Sequence, residues 1–104
     1  MRIFSSLLLL ALAALPAAAQ TQTQALAQGR AVAEAWCANC HVVGSGSRTG
    51  SDAAPSFASI AQHRPNASAL RIWLSQRHKD VMPNYALSRD EVDTVVAYIL
   101  SLRQ

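Results

Sequence analysis

A five-residue motif restricts this 104-residue chain more than any other feature: residues 37–41 read Cys-Ala-Asn-Cys-His. Cysteines at this spacing on a helical turn can both reach the vinyl groups along one edge of a porphyrin, and the next residue then lies over the ring. We therefore expect Cys37 and Cys40 to attach one haem c covalently and His41 to ligate its iron. The chemistry would then belong to the haem, which the protein binds, orients and tunes.

Two other uses of a Cys-x-x-Cys pair compete with haem attachment. The pair could form a disulfide or a thiol–disulfide redox site, or it could supply half of a zinc site. A zinc site needs two more good ligands, and the chain contains no other cysteine. Only His63 and His78 remain, and they lack a short His-x-His spacing. The histidine that directly follows the second cysteine favours haem.

The start of the chain has the pattern of a secretory signal. Arg2 supplies a positive charge, residues 3–15 are apolar, and residues 17–19 form an A-x-A cleavage site. The apolar stretch is shorter than the roughly 20 residues that a membrane-spanning helix needs. We expect residues 1–19 to be a cleaved signal peptide. Residues 20–104 should form one soluble, exported domain in the periplasm, with no membrane span.

Export and charge narrow the class of protein further. In an oxidising compartment two free thiols would normally form a disulfide, and thioether bonds to haem prevent this. The formal net charge of the chain is +3, and loss of Arg2 with the signal leaves eight basic and six acidic residues. The basic residues are scattered and form no stripe with interleaved aromatics, so no nucleic-acid partner is expected.

The remaining patterns are helical, with no strand pattern and no internal repeat. The first helix is expected from about Ala25 to Asn39, with a face of small and apolar residues at three-to-four-residue spacing. Gly29 on this face indicates a close approach between helices, and the alternative is a neutral glycine near a frayed end. The face comprises Leu26, Gly29, Ala33, Trp36 and Cys40.

Two shorter helices are expected in the middle of the chain. Residues 44–51 are rich in glycine and serine and should form a loop. A short helix should begin near residues 54–57 and run to Ala61, and a third is expected from Ala67 to Lys79. The expected caps of the third helix are Asn66 or Ser68, and its expected inward side chains are Leu70, Trp73 and Leu74.

The last helix begins at a capping box, in which Ser88 is the cap and Glu91 stands three residues later. Leu87 and Val92 are placed to form a hydrophobic staple across this cap. The apolar stripe that follows comprises Val92, Val95, Val96, Ile99 and Leu102, with Tyr98 beside it.

The loop before the last helix contains Met82 followed by Pro83. The proline stiffens the loop and keeps the preceding residue extended. A thioether fixed in this way can reach iron on the face opposite His41, so Met82 is the expected second axial ligand. Ordinary packing is the commoner role of a methionine. The rival ligands, His63 and His78, have the sequence surroundings of capping or surface residues.

Together these motifs resemble the small class I cytochromes c of bacteria, over the span from Gly29 to Leu102. The resemblance implies an all-α fold in which about four short helices wrap one covalently bound haem. It also implies that the first and last helices cross, with Gly29 near Tyr98 and Val95. The motifs that carry it are Cys37-Ala38-Asn39-Cys40-His41, Ala54-Pro55-Ser56-Phe57, Val81-Met82-Pro83-Asn84-Tyr85 and Ala97-Tyr98-Ile99-Leu100.

The resemblance also implies roles for single residues. The carbonyl of Pro55 would accept a hydrogen bond from His41, which fixes the imidazole and raises its basicity. Trp73 would pack on the haem and reach a propionate, and plain core packing is the alternative. Many relatives have an aromatic residue four positions before the first cysteine, where this chain has Ala33, and Trp36 is expected to supply the missing bulk.

These expectations converge on a periplasmic monohaem electron carrier rather than an enzyme. Ligands on both sides of the iron leave no open position for a substrate, and no general base or nucleophile is apparent. The expected partners are transient redox proteins: a dehydrogenase, an oxidase or another cytochrome. One alternative is a haem subunit of a periplasmic oxidoreductase complex, and another is a haem enzyme or sensor in which Met82 is displaced.

Overall fold

The computed structural model of the protein describes residues 16–44, 54–76 and 82–104. All regular structure within these ranges is helical, and no strand occurs in them. The expected all-α class with about four helices is therefore confirmed. In chain order the helices are α1 (Ala17–Trp36), α2 (Phe57–His63), α3 (Ala67–Ser75) and α4 (Arg89–Ser101).

Three expectations concern residues outside the described ranges. Most of the expected signal peptide lies in residues 1–15, and most of the expected glycine-rich loop lies in residues 45–53. His78 lies in residues 77–81. These expectations remain predictions. The expected end of the third helix at Lys79 is wrong, because the helix ends at Ser75 and the backbone of Gln76 beyond it is extended.

Helix α1 begins earlier and ends earlier than its sequence pattern indicated. It starts at Ala17 rather than Ala25, because six of residues 17–24 are alanine or glutamine, which have high helix propensity. It ends at Trp36 rather than Asn39, and Cys37 is its C-cap. Residues 16–24 are all exposed, so only the second half of α1 is packed in the core.

Helix α4 is the element on which the others pack. It contacts α1, α2 and α3, whereas no two of those three helices approach each other within 8 Å between Cα atoms. Its predicted apolar stripe is confirmed, with Leu102 half-buried just beyond the helix. The buried residues of α4 are Val92, Val95, Val96, Tyr98 and Ile99.

The start of α4 has the predicted capping box. The Ser88 hydroxyl accepts a hydrogen bond from the backbone N–H of Glu91 at 3.1 Å. The Glu91 carboxylate in turn accepts one from the backbone N–H of Ser88 at 2.7 Å. Two N–H groups that the first helical turn cannot pair are satisfied in this way. Leu87 packs against the core cluster that includes Val92, and the staple between these two residues stays a prediction.

The crossing of α1 and α4 depends on Gly29, which is buried. A Cβ atom at this position would overlap the Thr94 carbonyl of α4 and lie 2.9 Å from Cβ of Tyr98. The prediction of close helix approach is confirmed, and the alternative of a frayed end is wrong. Ala33, which is 0% exposed, continues this small face one turn later.

Two tryptophans that the patterns placed inward are half exposed. Trp36 is 49% exposed, because it is the last residue of α1 and its ring lies against Tyr85 beyond the helix. Trp36 is therefore not the expected filler of the helix crossing. Trp73 is 50% exposed, because α3 packs on the core through Leu70 and Leu74 and the indole lies to one side of that face.

The caps of the short helices follow local sequence chemistry. Asn66, and not Ser68, caps α3: its side-chain oxygen accepts a hydrogen bond from the Ala69 N–H at 3.0 Å. Ser56 caps α2 in the same manner through the Ser59 N–H at 3.1 Å. An ion pair between Arg71 Nε and Asp93 Oδ1, at 2.7 Å, joins α3 to α4.

Candidate functional site

The two cysteines lie in a turn that directly follows α1. Cys37 is buried and Cys40 is exposed, and they are not joined in a disulfide. The carbonyl of Cys37 accepts hydrogen bonds from the N–H groups of Cys40 and His41, at 3.2 and 2.9 Å. These bonds close the turn, so the motif is a compact structural unit at the end of the helix.

Burial changes the chemistry of the first thiol. It raises the pKa of Cys37 above the ordinary value, and the neighbouring Cys40 thiol adds to the increase. A raised pKa keeps the sulfur protonated and makes it a poorer nucleophile. Thiol–disulfide exchange requires the opposite, so the site disfavours the redox-pair alternative.

His41 is oriented by a hydrogen bond to the other side of the site. Its Nδ1 lies 2.6 Å from the carbonyl oxygen of Pro55. Because a carbonyl only accepts, Nδ1 carries a proton and donates the hydrogen bond, and in the neutral imidazole Nε2 then keeps its lone pair. The contact that the family resemblance implied between these two residues is therefore present. A histidine in this tautomer has one nitrogen available for a metal.

A chain of aromatic and polar contacts supports this histidine. Its ring centroid lies 5.5 Å from that of Phe57, which in turn lies 6.4 Å from Tyr98 in an edge arrangement. The Tyr98 hydroxyl donates a hydrogen bond to the Val43 carbonyl at 2.6 Å. The Phe57 N–H donates to the Val42 carbonyl at 3.0 Å. Helices α2 and α4 thus both hold the segment that follows His41.

The supporting roles of Phe57 and Tyr98 were not predicted from the sequence. Tyr98 was identified only as a neighbour of the apolar stripe, and Phe57 only as part of a motif. The sequence offered one signal for the role of Tyr98, because the hydroxyl of a buried tyrosine needs a hydrogen-bond partner. Gly44 is part of the same arrangement, because a Cβ there would lie 2.8 Å from the Tyr98 hydroxyl oxygen.

Met82 lies in the same small pocket as Cys37. The methionine is half-buried, and the pocket is almost entirely apolar. The structure therefore brings together the first cysteine and the predicted thioether, which are 45 residues apart in the sequence. The other lining residues are Leu74, Pro83, Asn84, Tyr85, Leu87 and Val95.

Other predicted positions lie apart from this pocket. Trp73 is not among its lining residues, and a role toward haem for Trp73 stays a prediction. His63 is exposed at the end of α2, where its Nδ1 lies 2.9 Å from the Ser59 carbonyl. A larger open cleft between α3 and α4 contains none of the predicted site residues; it includes Arg71, Ser75, Ala86, Arg89 and Asp93.

The donor groups present fit haem c. Two thiols stand in one turn, the following imidazole presents an unprotonated nitrogen, and a thioether lines the pocket of the first thiol. In the described ranges no three His, Cys, Asp or Glu side chains are grouped as a metal site would need. None of the described helices is long and apolar enough to cross a bilayer.

An all-helical domain with Cys-x-x-Cys-His after its first helix has the features of a c-type cytochrome. Residues 24–99 match the family described as cytochrome c oxidase, cbb3-type, subunit III. Cytochrome c-552 of Bradyrhizobium diazoefficiens is 43% identical over 93 residues, which cover 84% of this chain and 88% of that relative. No solved structure matches the chain. The chain belongs to this cbb3-type subunit III family and is a small monohaem c-type cytochrome.

Membership of the family has a direct functional meaning. It supports an electron-carrying haem protein rather than a catalytic enzyme, and it implies haem c as the cofactor. It also implies other redox proteins as partners.

Proposed function

We propose that this protein is a periplasmic carrier of single electrons in which Cys37 and Cys40 hold one haem c and His41 and Met82 ligate its iron. The observation that carries the proposal is the 2.6 Å contact between His41 Nδ1 and the Pro55 carbonyl oxygen. This bond leaves Nε2 as the free nitrogen, which is the arrangement that an iron ligand requires.

The protein's own groups adjust the redox behaviour. When bound, haem supplies a one-electron ferric/ferrous couple. The hydrogen bond from His41 to Pro55 increases the basicity of the imidazole. The soft thioether of Met82 favours the ferrous state and raises the reduction potential. With His41 and Met82 as its ligands, the iron would have no free position for a substrate.

Fast electron exchange also requires that the ligands move little. The contacts of His41 with Pro55 and Phe57 hold the imidazole from different directions. The Tyr98 hydroxyl fixes the backbone two residues beyond the histidine through the Val43 carbonyl. A ligand held in this way keeps one geometry in both oxidation states, so the reorganisation that opposes electron transfer stays small.

The proposed location and partners follow from the sequence and the family. Residues 1–19 have the pattern of a secretory signal, which supports export to the periplasm. The partners would be a dehydrogenase, an oxidase or another cytochrome, met in brief contacts of small area. No membrane span and no nucleic-acid contact are needed for this role.

A second candidate function is a haem subunit of a periplasmic oxidoreductase complex. The observation that favours it is the family description itself, which names an oxidase subunit. The carrier is preferred because the chain spans 88% of the relative named only as a cytochrome. Sedimentation of the haem protein in a native periplasmic extract separates the two: a free carrier sediments as a small protein, and a subunit sediments with its complex.

Replacement of Met82 by alanine tests the ligand set. The variant should bind carbon monoxide in the reduced state, because one axial position is opened. Its midpoint potential should fall by at least about 59 mV, the shift that corresponds to a tenfold loss of preference for the ferrous form. Optical redox titration measures the potential, and the absorbance of the reduced protein with and without carbon monoxide measures the binding. Leu74→Ala, which enlarges the same pocket without removing a donor, is the matched control and should bind no carbon monoxide.

An unchanged spectrum and potential in Met82→Ala would remove Met82 from the ligand set. Met82→His serves as a further check, since imidazole restores a second axial ligand and should abolish carbon monoxide binding while keeping the potential low.

A further inference from the structure

We infer that Trp36 and Tyr85 form a clasp that positions Met82 by holding residues 82–85 against the cysteine end of α1. This inference rests on the proposed function, because it concerns how Met82 is kept at the iron. The clasp is made of the two aromatic rings, and neither is proposed to touch the iron.

The clasp is defined by a direct ring contact. The ring centroids of Trp36 and Tyr85 lie 5.4 Å apart, and the ring planes are inclined by 44°. This separation is within the range in which aromatic pairs attract each other. Trp36 directly precedes Cys37, and Tyr85 follows Met82 by three residues. The contact therefore joins the haem-attachment motif to the segment that carries the second ligand.

The position of this segment depends on side-chain contacts. No helix is formed between Met82 and the cap at Ser88, so helical packing does not fix it. Pro83 restricts the backbone between Met82 and Tyr85, and restraint of the tyrosine therefore also restrains the methionine. Cys37, Met82 and Tyr85 line one small pocket, as expected if the clasp closes the segment over it.

The half-exposure of Trp36 also points to this role. An indole that is 49% exposed contributes little to the α1–α4 core, which is formed by Gly29 and Ala33 on the same helix. Loss of its ring should therefore affect the Met82 segment more than the stability of the fold. Because the effect on the Met82 segment and the effect on fold stability are separate, the clasp can be tested.

The clasp sets an equilibrium between a closed segment and an open one in which the thioether has left the iron. An aromatic pair shifts such an equilibrium by about two- to tenfold. An added ligand binds only the open form, so its apparent affinity is proportional to the open fraction. Breaking the clasp should raise the affinity of the ferric protein for imidazole by the same factor.

The experiment is an imidazole titration of the ferric holoprotein, followed by absorbance. Trp36→Leu and Tyr85→Leu, which keep apolar bulk without a ring, should each raise the imidazole affinity about two- to tenfold. The double variant should show no more than the larger single effect, because both replacements break the same contact. Tyr85→Phe keeps the ring and should behave as the unmodified protein.

Ile72→Ala is the matched control, since this side chain is 58% exposed and lies outside the Met82 pocket. It should leave the imidazole affinity unchanged. If Trp36→Leu and Tyr85→Leu also leave it unchanged, or if their effects are additive in the double variant, the clasp is overturned.

The outcome for the unmodified protein separates the two proposals. If ferric protein lacks the sulfur-to-iron charge-transfer absorption of a methionine-ligated haem, the proposed ligand Met82 is wrong, and the clasp fails with it. If that absorption is present and loss of either ring leaves the imidazole affinity unchanged, the ligand set stands and only the clasp is rejected.

Discussion

His41 is held by groups that are distant from it in the chain. The Pro55 carbonyl fixes its tautomer, and the Phe57 ring packs against the imidazole. Tyr98 reaches the same segment from α4 through its hydroxyl. Because these contacts come from separate elements, the imidazole orientation is a property of the folded domain and not of the five-residue motif alone.

Replacement of Tyr98 by phenylalanine should destabilise the protein by about 1–3 kcal/mol, because the buried Val43 carbonyl loses its donor. Denaturant unfolding of the holoprotein measures the change. Thr23→Ala is the control: this side chain is exposed on α1, and its loss should cost less than about 0.5 kcal/mol. Equal stability of Tyr98→Phe and the unmodified protein would show that water replaces the donor.

At the level of the helices, the crossing of α1 and α4 requires the absence of a side chain at one point. Gly29 allows the backbone of α1 to approach Thr94 and Tyr98 directly. Glycine weakens an isolated helix by about 1 kcal/mol relative to alanine. The close packing of α1 on α4 offsets this cost, so the glycine serves tertiary structure at the expense of local propensity.

The replacement Gly29→Ala should therefore destabilise the fold by about 1–3 kcal/mol, despite the higher helix propensity of alanine. The added Cβ would overlap the Thr94 carbonyl, and backbone cannot move aside as a flexible side chain can. Thermal unfolding followed by circular dichroism measures the effect. Gln28→Ala, at an exposed neighbouring position of α1, should change stability by less than about 0.5 kcal/mol. A stabilised Gly29→Ala would contradict the close approach.

Local signals predicted these elements better than periodicity did. The capping box of α4 was identified correctly because Ser88 and Glu91 interact across one turn and need no other part of the chain. The exposure of Trp36 and Trp73 was not predicted, because helical spacing says which residues share a face and not which part of it a neighbouring helix covers. Met82 could be proposed as a ligand because of the adjacent proline. That it shares a pocket with Cys37 depends on the tertiary structure, so the sequence could not predict it.

For the molecule as a whole, α4 provides most of the packing between helices. Helices α1, α2 and α3 each contact α4 and do not approach one another. The proposed mature domain of about 85 residues would bury a limited core, and domains of this size often need a covalent or cofactor staple. The proposed haem would join α1, through its cysteines, to the Met82 segment, and would add apolar contacts that these helices do not give each other.

Removal of both attachment points tests this joint role. A Cys37→Ser/Cys40→Ser double variant should be colourless after acidified acetone treatment. It should also show lower helical ellipticity than the holoprotein, because the apoprotein retains only the contacts centred on α4. Cys40→Ser alone keeps one thioether and should retain colour and most of the helicity. A double variant with full helicity and the cooperative unfolding of the holoprotein would show that the polypeptide folds without its cofactor.

The order of the helices along the chain has a consequence for biosynthesis. Helices α1, α2 and α3 leave the ribosome before the one element on which they all pack. Until α4 emerges, the nascent polypeptide lacks the packing between helices that the folded domain has. In the proposed export, a translocation channel that accepts only unfolded chains would receive a polypeptide without this packing, and both tertiary structure and haem attachment would be completed on the far side of the membrane.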